Sequence, residues 1–171
     1  AYRRLAAFDP SSLALLSLIV AWNRDTLLRG TTPAILNAKL GAEVMCSALE
    51  VALQHGLPGH YSLLTLGHIA KNAAASWTQS GHLVGRTNKI RQKVVGTPAA
   101  LTLALILGHV GGLRGEPLFS APWCRILDLD QNVARMLATE AHRLGLIDFR
   151  SSGSVVEISF PKFNDLFPHV L

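Results

Sequence analysis

Acidic residues are missing from the middle of this chain. Between Glu50 and Glu116 there is no Asp or Glu, whereas Lys71, Arg86, Lys89, Arg91, Lys93 and Arg114 all fall in that stretch. The 171 residues hold 16 Lys and Arg against 11 Asp and Glu, a formal charge of +5, and the excess lies in this middle third. A surface so biased points to polyanions, nucleic acid first. A segment that is merely apolar and rich in Gly and Ala would not explain four cations packed into residues 86–93.

Cysteine is also scarce. Cys46 and Cys124 stand far apart in apolar surroundings, so neither a disulfide framework nor a paired-cysteine zinc site is written here, and each is expected as a small core residue. Long hydrophobic runs are absent too. Leu13 to Trp22 would make a helix of about 15 Å against roughly 30 Å of bilayer core. The uncharged stretch from Lys93 to Arg114 is broken by Pro98, His109 and four glycines, leaving 99–107 as its continuous apolar part. Both read as buried helices of a soluble, cytoplasmic protein with no membrane contact. Helices apolar nearly all round sit between layers or at a subunit interface, which implies a two-lobed body, a protein partner or a homo-oligomer. The chain opens without a methionine, so targeting signals at that end are not readable.

Enzyme signatures are missing as well. The seven histidines come without HExxH, CxxC or clustered carboxylates: His55 and His60 flank a proline turn, and His68 and His82 stand on either side of one helix. The glycine-rich pieces around Gly111 and Gly85 lack the GK[ST] ending of a phosphate loop. The acid-free middle removes the carboxylates that a magnesium nuclease needs, unless folding brings Asp25, Glu43 or Glu50 close. The expectation is a non-enzyme with no cofactor and no metal. Trp22, Trp77 and Trp123 read as core, and Phe160, Phe163 and Phe167 as a tail that packs on its own domain or on a partner.

What is present is helical punctuation. Asp9, Pro10, Ser11 and Ser12 start a helix expected to reach about Leu28. A second long helix is expected from Thr32 and Pro33 to His55, with Ile35, Leu36, Leu40, Val44, Met45, Leu49 and Leu53 on its apolar face, before an LPGH turn. A short helical turn and then a helix through Ala70 to Gln79 follow, with Ile69, Ala73 and Trp77 inward. A strand, a polar turn at Arg86 to Asn88 and a second strand come next. The same order then recurs. Thr97 and Pro98 open a helix closed by Gly111 and Gly112, Glu116 to Leu127 gives a shorter one interrupted at Pro122, and Asp128 or Asp130 caps a third with Val133, Met136, Leu137, Ala141 and Leu144 inward. A hairpin around Ser151, Ser152, Gly153 and Ser154 follows, and then a proline-bounded turn with one last short helix.

Three helices and a hairpin, with the last helix entering the first strand through Gly145 and Leu146, give LDQNVARMLATEAHRLGLIDFRSSGSVVEISF. This stretch resembles the winged-helix superfamily of DNA-binding domains, a helix-turn-helix class, in the way it passes from recognition helix to wing. SWTQSGHLVGRTNKIRQKV resembles a second, looser copy, with SGHL in the place of LGLI. The resemblance implies a mainly α fold with small β-hairpins. Its parts are an N-terminal helix over 1–30, a first winged-helix-like unit over 31–96, a second over 97–160, and a tail over 161–171.

The candidate nucleic-acid-binding residues follow from outward faces. On the last helix they are Asn132, Arg135, Thr139, His142 and Arg143, with Asp128, Asp130 and Glu140 nearby. On the earlier one they are Lys71, Asn72, Ser76 and Gln79, followed by Arg86, Asn88, Lys89, Arg91 and Lys93 in and after the basic turn. Asn addresses adenine, Arg addresses guanine or phosphate, and Thr and neutral His suit the backbone or a base edge. The expected function is a non-enzymatic regulator or accessory protein that binds double-stranded DNA. The alternative is a scaffold subunit of a nucleic-acid-handling complex.

Overall fold

The computed structural model describes every residue except 57, 58, 60, 153, 154 and 167–171, and only the backbone of Leu166. The expected LPGH turn, the tip of the second hairpin and Phe167 therefore lie outside the described residues. The helices are α1 (Tyr2–Phe8), α2 (Leu13–Arg24), α3 (Thr26–Gly30), α4 (Thr32–Leu36), α5 (Cys46–Gly56), α6 (Leu63–Gln79), α7 (Pro98–Val110), α8 (Pro122–Arg125) and α9 (Gln131–Arg143). The strands are β1 (Leu83–Val84), β2 (Ile90–Arg91), β3 (Asp148–Ser152) and β4 (Val155–Ser159), and 3-10 turns occupy Pro10–Ser12, Glu116–Ser120 and Pro161–Leu166. The fold is mainly α with two small antiparallel hairpins. Among the described residues no helix is long and apolar enough to cross a membrane.

The chain divides into two units, one made of Val20–Val94, the other of Ala1–Ile19 together with Val95 and the described residues beyond it. In the first, the Asp25 carboxylate accepts the Leu27 and Leu28 N–H groups at 2.8 and 3.1 Å. That cap ends one helix and starts another where a single helix to Leu28 was expected. The expected long helix over 32–55 is likewise two. It stops at Leu36, and Gly41 turns the chain at φ +81° into an extended segment that pairs with β2. Gly41 N–H donates to the Arg91 carbonyl (2.9 Å), Arg91 N–H to Ala42 (2.9 Å) and Val44 N–H to Lys89 (2.7 Å). Leu40 and Met45, placed by helical spacing on an apolar face, are exposed. The spacing of Leu36, Leu40 and Val44 fits a helix equally well, and glycine in the left-handed region decides against it. The unit thus runs helix, paired segment, α5, α6, β1, β2, around a core that includes Trp22, Ile35, Leu49, Leu53, Leu66 and Trp77.

The other unit is organised on α7. Thr97 caps it, its Oγ1 accepting the Ala100 N–H at 3.1 Å, and its residues are buried on all sides within this one unit. Its all-round apolar sequence is therefore used internally, between α1 on one side and α8 and α9 on the others. The expected order follows: the 116–120 turn, α8 restarting at Pro122, α9 capped by Asp130, whose carboxylate accepts the Val133 N–H at 2.9 Å, then β3 and β4 in register from Asp148 opposite Ser159 to Ser152 opposite Val155. The expected N-terminal helix over 1–30 opens instead with a separate helix, α1, tied to the 161–166 turn by Arg4, which donates to Asp165 Oδ1 at 2.9 Å and to the Lys162 carbonyl at 2.7 Å. Phe160 and Phe163 are buried, as a tail packing on its own domain requires.

Candidate nucleic-acid interface

Helix α6 is fixed at both ends and along one side. Ser62 Oγ accepts the Thr65 N–H at 3.2 Å. Leu66, Ala70, Ala73, Ala74 and Trp77 are buried, and Trp77 Nε1 donates to Thr31 Oγ1 at 2.8 Å. With that face inward, Leu64, His68, Lys71, Asn72, Ala75 and Gln79 are turned to solvent. Ser76 is half-buried at the flank, its hydroxyl donating to the Asn72 carbonyl at 3.3 Å. The expected row of Lys71, Asn72, Ser76 and Gln79 is thus brought together on one helix. His68, considered in the sequence only as a metal ligand, and Leu64 lie on the same face; adding them needed only the heptad-like steps from Lys71 that the inward stripe already defined.

The Val20–Val94 unit contains eight Lys and Arg against three Asp and Glu, so it carries the entire +5; the rest of the chain holds eight of each. Two of its three acids come near α6. Asp25 faces a groove shared with Asn72 and Ser76, but its carboxylate is already engaged by the cap of α3. Glu50 lies beside Gly67 and near Cys46, whose thiol is pushed up first by burial, then by Glu50, and is pulled back by Lys71. Cys46 is half-buried rather than in the core, while Cys124 is buried and its thiol is pushed up to about 12 by desolvation.

The basic turn is partly as expected. Gly85, at φ +103°, allows it: a Cβ there would stand 2.1 Å from the Asn88 carbonyl oxygen. Arg86, Asn88 and Lys93 are exposed, and Lys89 is half-buried with its Nζ donating to the Gly85 carbonyl at 2.7 Å. Arg91 is a correction. It is 2% exposed, its Nε donates to the Ile35 carbonyl at 2.9 Å and a second nitrogen donates to the Gln92 carbonyl. It holds the end of α4 against β2 and is not a surface cation. Arg91 is turned inward between a half-buried Ile90 and an exposed Gln92, and the satisfied carbonyls offset the desolvation of its charge.

On α9 the expected inner face holds at Ala141 and in part at Leu137, and fails at Val133, Met136 and Leu144. Ala134, Ala138 and Ala141 are buried, Leu137 is half-buried, and Val133, Met136 and Leu144 are exposed, Met136 by 71%. Small residues let α9 approach α7 closely, so alanines rather than the larger apolar side chains mark the inner face. The expected row of Asn132, Arg135, Thr139 and His142 consequently lies along a flank, with Met136 nearer the outward centre. Arg135 is half-buried, paired with Glu116 and set over the Phe119 ring at 5.7 Å. Arg143 pairs with Glu140 at 2.7 Å, and His142 Nδ1 lies 3.3 Å from both the Ile147 carbonyl oxygen and the Phe149 nitrogen. Asn132, Thr139 and His142 of this set are exposed, and Arg143 is exposed but paired. Of the tryptophans, Trp22 and Trp77 are core and Trp123 is half-buried.

Among the described residues no group of three or more His, Cys, Asp or Glu is placed to hold a metal ion. Comparison with protein-family models, with curated proteins and with solved structures finds no match to this chain.

Proposed function

We propose that the chain is a non-enzymatic DNA-binding regulator or accessory protein and that its Val20–Val94 unit engages double-stranded DNA. The observation that carries this reading is the coincidence of the whole +5 charge with a helix face on which Lys71, Asn72 and Gln79 stand together. The order helix, paired segment, α5, α6, β1, β2, with the 41–44 segment bonded to β2, supports a winged-helix reading of this unit. In that reading α6 lies in the major groove, where Asn72 and Gln79 address adenine, while Lys71, Arg86 and Lys93 meet phosphates along the groove edge and turn. Titration of a nonspecific duplex with the full chain at about 50 mM and about 200 mM salt tests it, because released counterions make such binding steeply salt-dependent. Steep loss of affinity is expected. Absence of binding at micromolar protein, or binding indifferent to salt, overturns the reading.

The other unit favours the scaffold role. It is neutral overall, Arg135 and Arg143 of α9 are paired with glutamates, and Met136 and Val133 occupy exposed positions on that helix. An apolar, charge-balanced face suits a protein partner better than phosphate.

A further inference from the structure

We propose that Leu64, at the N-terminal end of α6, reads thymine C5-methyl groups in the major groove; this rests on the DNA-binding reading of the Val20–Val94 unit. Leu63 and Leu64 occupy the first turn of α6 and are each 76% exposed. Two leucines left in water at a helix start are not needed to close the core, which begins at Leu66. Leu64 is in line with His68, Lys71 and Ala75, at steps of four, seven and eleven residues, so the apolar tip and the cation share one face of one helix.

That combination selects the occupant. A helix lying in the major groove meets base edges with its N-terminal residues, and the one apolar group that base edges present there is the methyl of thymine. DNA thus supplies, along one groove, phosphates for Lys71 and methyls for Leu64. An acidic protein surface would match the charge but would leave the leucines against charged groups. The 64 to 75 line would accordingly prefer A·T-containing sites, with Leu64 supplying the T half of the discrimination and Asn72 addressing adenine.

Uracil isolates the effect because it pairs as thymine does and lacks only the methyl. Full-length chain is titrated with duplexes identical except for thymine or uracil, and with a second pair containing cytosine or 5-methylcytosine, which puts a methyl at the same groove position. Removing the methyl should weaken binding about fourfold for each one contacted, and methylating cytosine should strengthen it, both with an unchanged salt slope since no charge is altered. Leu64→Ala, at a position already in solvent, should keep its circular dichroism and melting temperature and lose both differences. Equal affinity for thymine and uracil duplexes overturns the inference while leaving DNA binding intact, as does a thymine preference that persists in Leu64→Ala. Failure to bind any of the four duplexes overturns the DNA-binding reading itself, and this inference with it.

Discussion

The two units present the same succession of helices and a hairpin but put their arginines to different uses. Around α9 each of Arg135 and Arg143 has a glutamate partner, and the eight cations of that unit are matched by eight acids. Around α6 there are three acids for eight cations, and one of the three, Asp25, is engaged by a helix cap. A cation whose charge is neutralised within its own fold has little left for a phosphate; cations that outnumber the acids around them keep a net positive field. Element order is thus similar while electrostatics separates a cation-rich unit from a charge-balanced one, and under the proposed function only the first is suited to DNA.

The largest expected effect tests that separation directly. Replacing Lys71, Arg86 and Lys93 together by Ala should lower the slope of log affinity against log salt by about 2 to 3 units, near one for each phosphate no longer neutralised. Replacing two exposed arginines of the other unit, Arg143 on α9 and Arg150 on β3, by Ala should leave that slope where it was. Equal flattening by both sets of substitutions would erase the contrast between the units.

Arg91 sharpens the contrast from within the basic unit. Arg91→Ala removes the charged donor that the Ile35 and Gln92 carbonyls accept and empties a buried volume, so it should cost about 3 kcal/mol of stability. Arg86→Ala, in the exposed turn, should stay within about 0.5 kcal/mol. Urea unfolding of the two variants measures both. Similar small losses would mean that Arg91 is a surface cation after all.

Arg91 also shows where reading the sequence stops. The starts of α7 and α9 were legible because capping chemistry is local: the Thr97 and Asp130 side chains each accept an N–H of the first turn, and the glycines after α7 end it. The α6 face was legible because Ala73 and Trp77 set its phase. The 41–44 segment is too short to show a strand period and was absorbed into a helix, and with it went the knowledge that the Arg91 side chain reaches the Ile35 carbonyl at the end of α4. On α9 Ala141 was rightly placed inward, but Val133, Met136 and Leu144 were placed there by hydrophobic size, whereas close packing on α7 selected Ala134 and Ala138. Pairings such as Arg135 with Glu116 are set by tertiary structure, which no spacing rule reaches.

A smaller effect is expected at that pair. Arg135→Ala removes a half-buried ion pair and the guanidinium stacked over Phe119, which should cost about 1 to 2 kcal/mol in unfolding experiments. It should leave the salt dependence of DNA binding unchanged. A fall in DNA affinity with stability preserved would make α9 a DNA-reading element alongside α6.

The smallest effect concerns pH and belongs to the neutral unit alone. His109, near the end of α7, lies edge-on to Phe160 with ring centroids 5.2 Å apart, and its Nδ1 is buried with no hydrogen-bond partner among the described residues. Desolvation, and secondarily the Arg114 charge, hold its pKa below the ordinary 6.5. The unfolded chain therefore takes up this proton at a higher pH than the folded one does. By linkage the contribution to stability is complete above about pH 6.5 and is lost progressively as the pH falls through that value toward the lower folded pKa. Hydrogen exchange that resolves α7 from α6 should show α7 losing protection first between about pH 7 and pH 5. His109→Leu, which puts an uncharged side chain against Phe160, should remove that part of the pH dependence. An acid loss of α7 protection that is identical in His109→Leu would place the proton elsewhere and leave the two units alike in their response to pH.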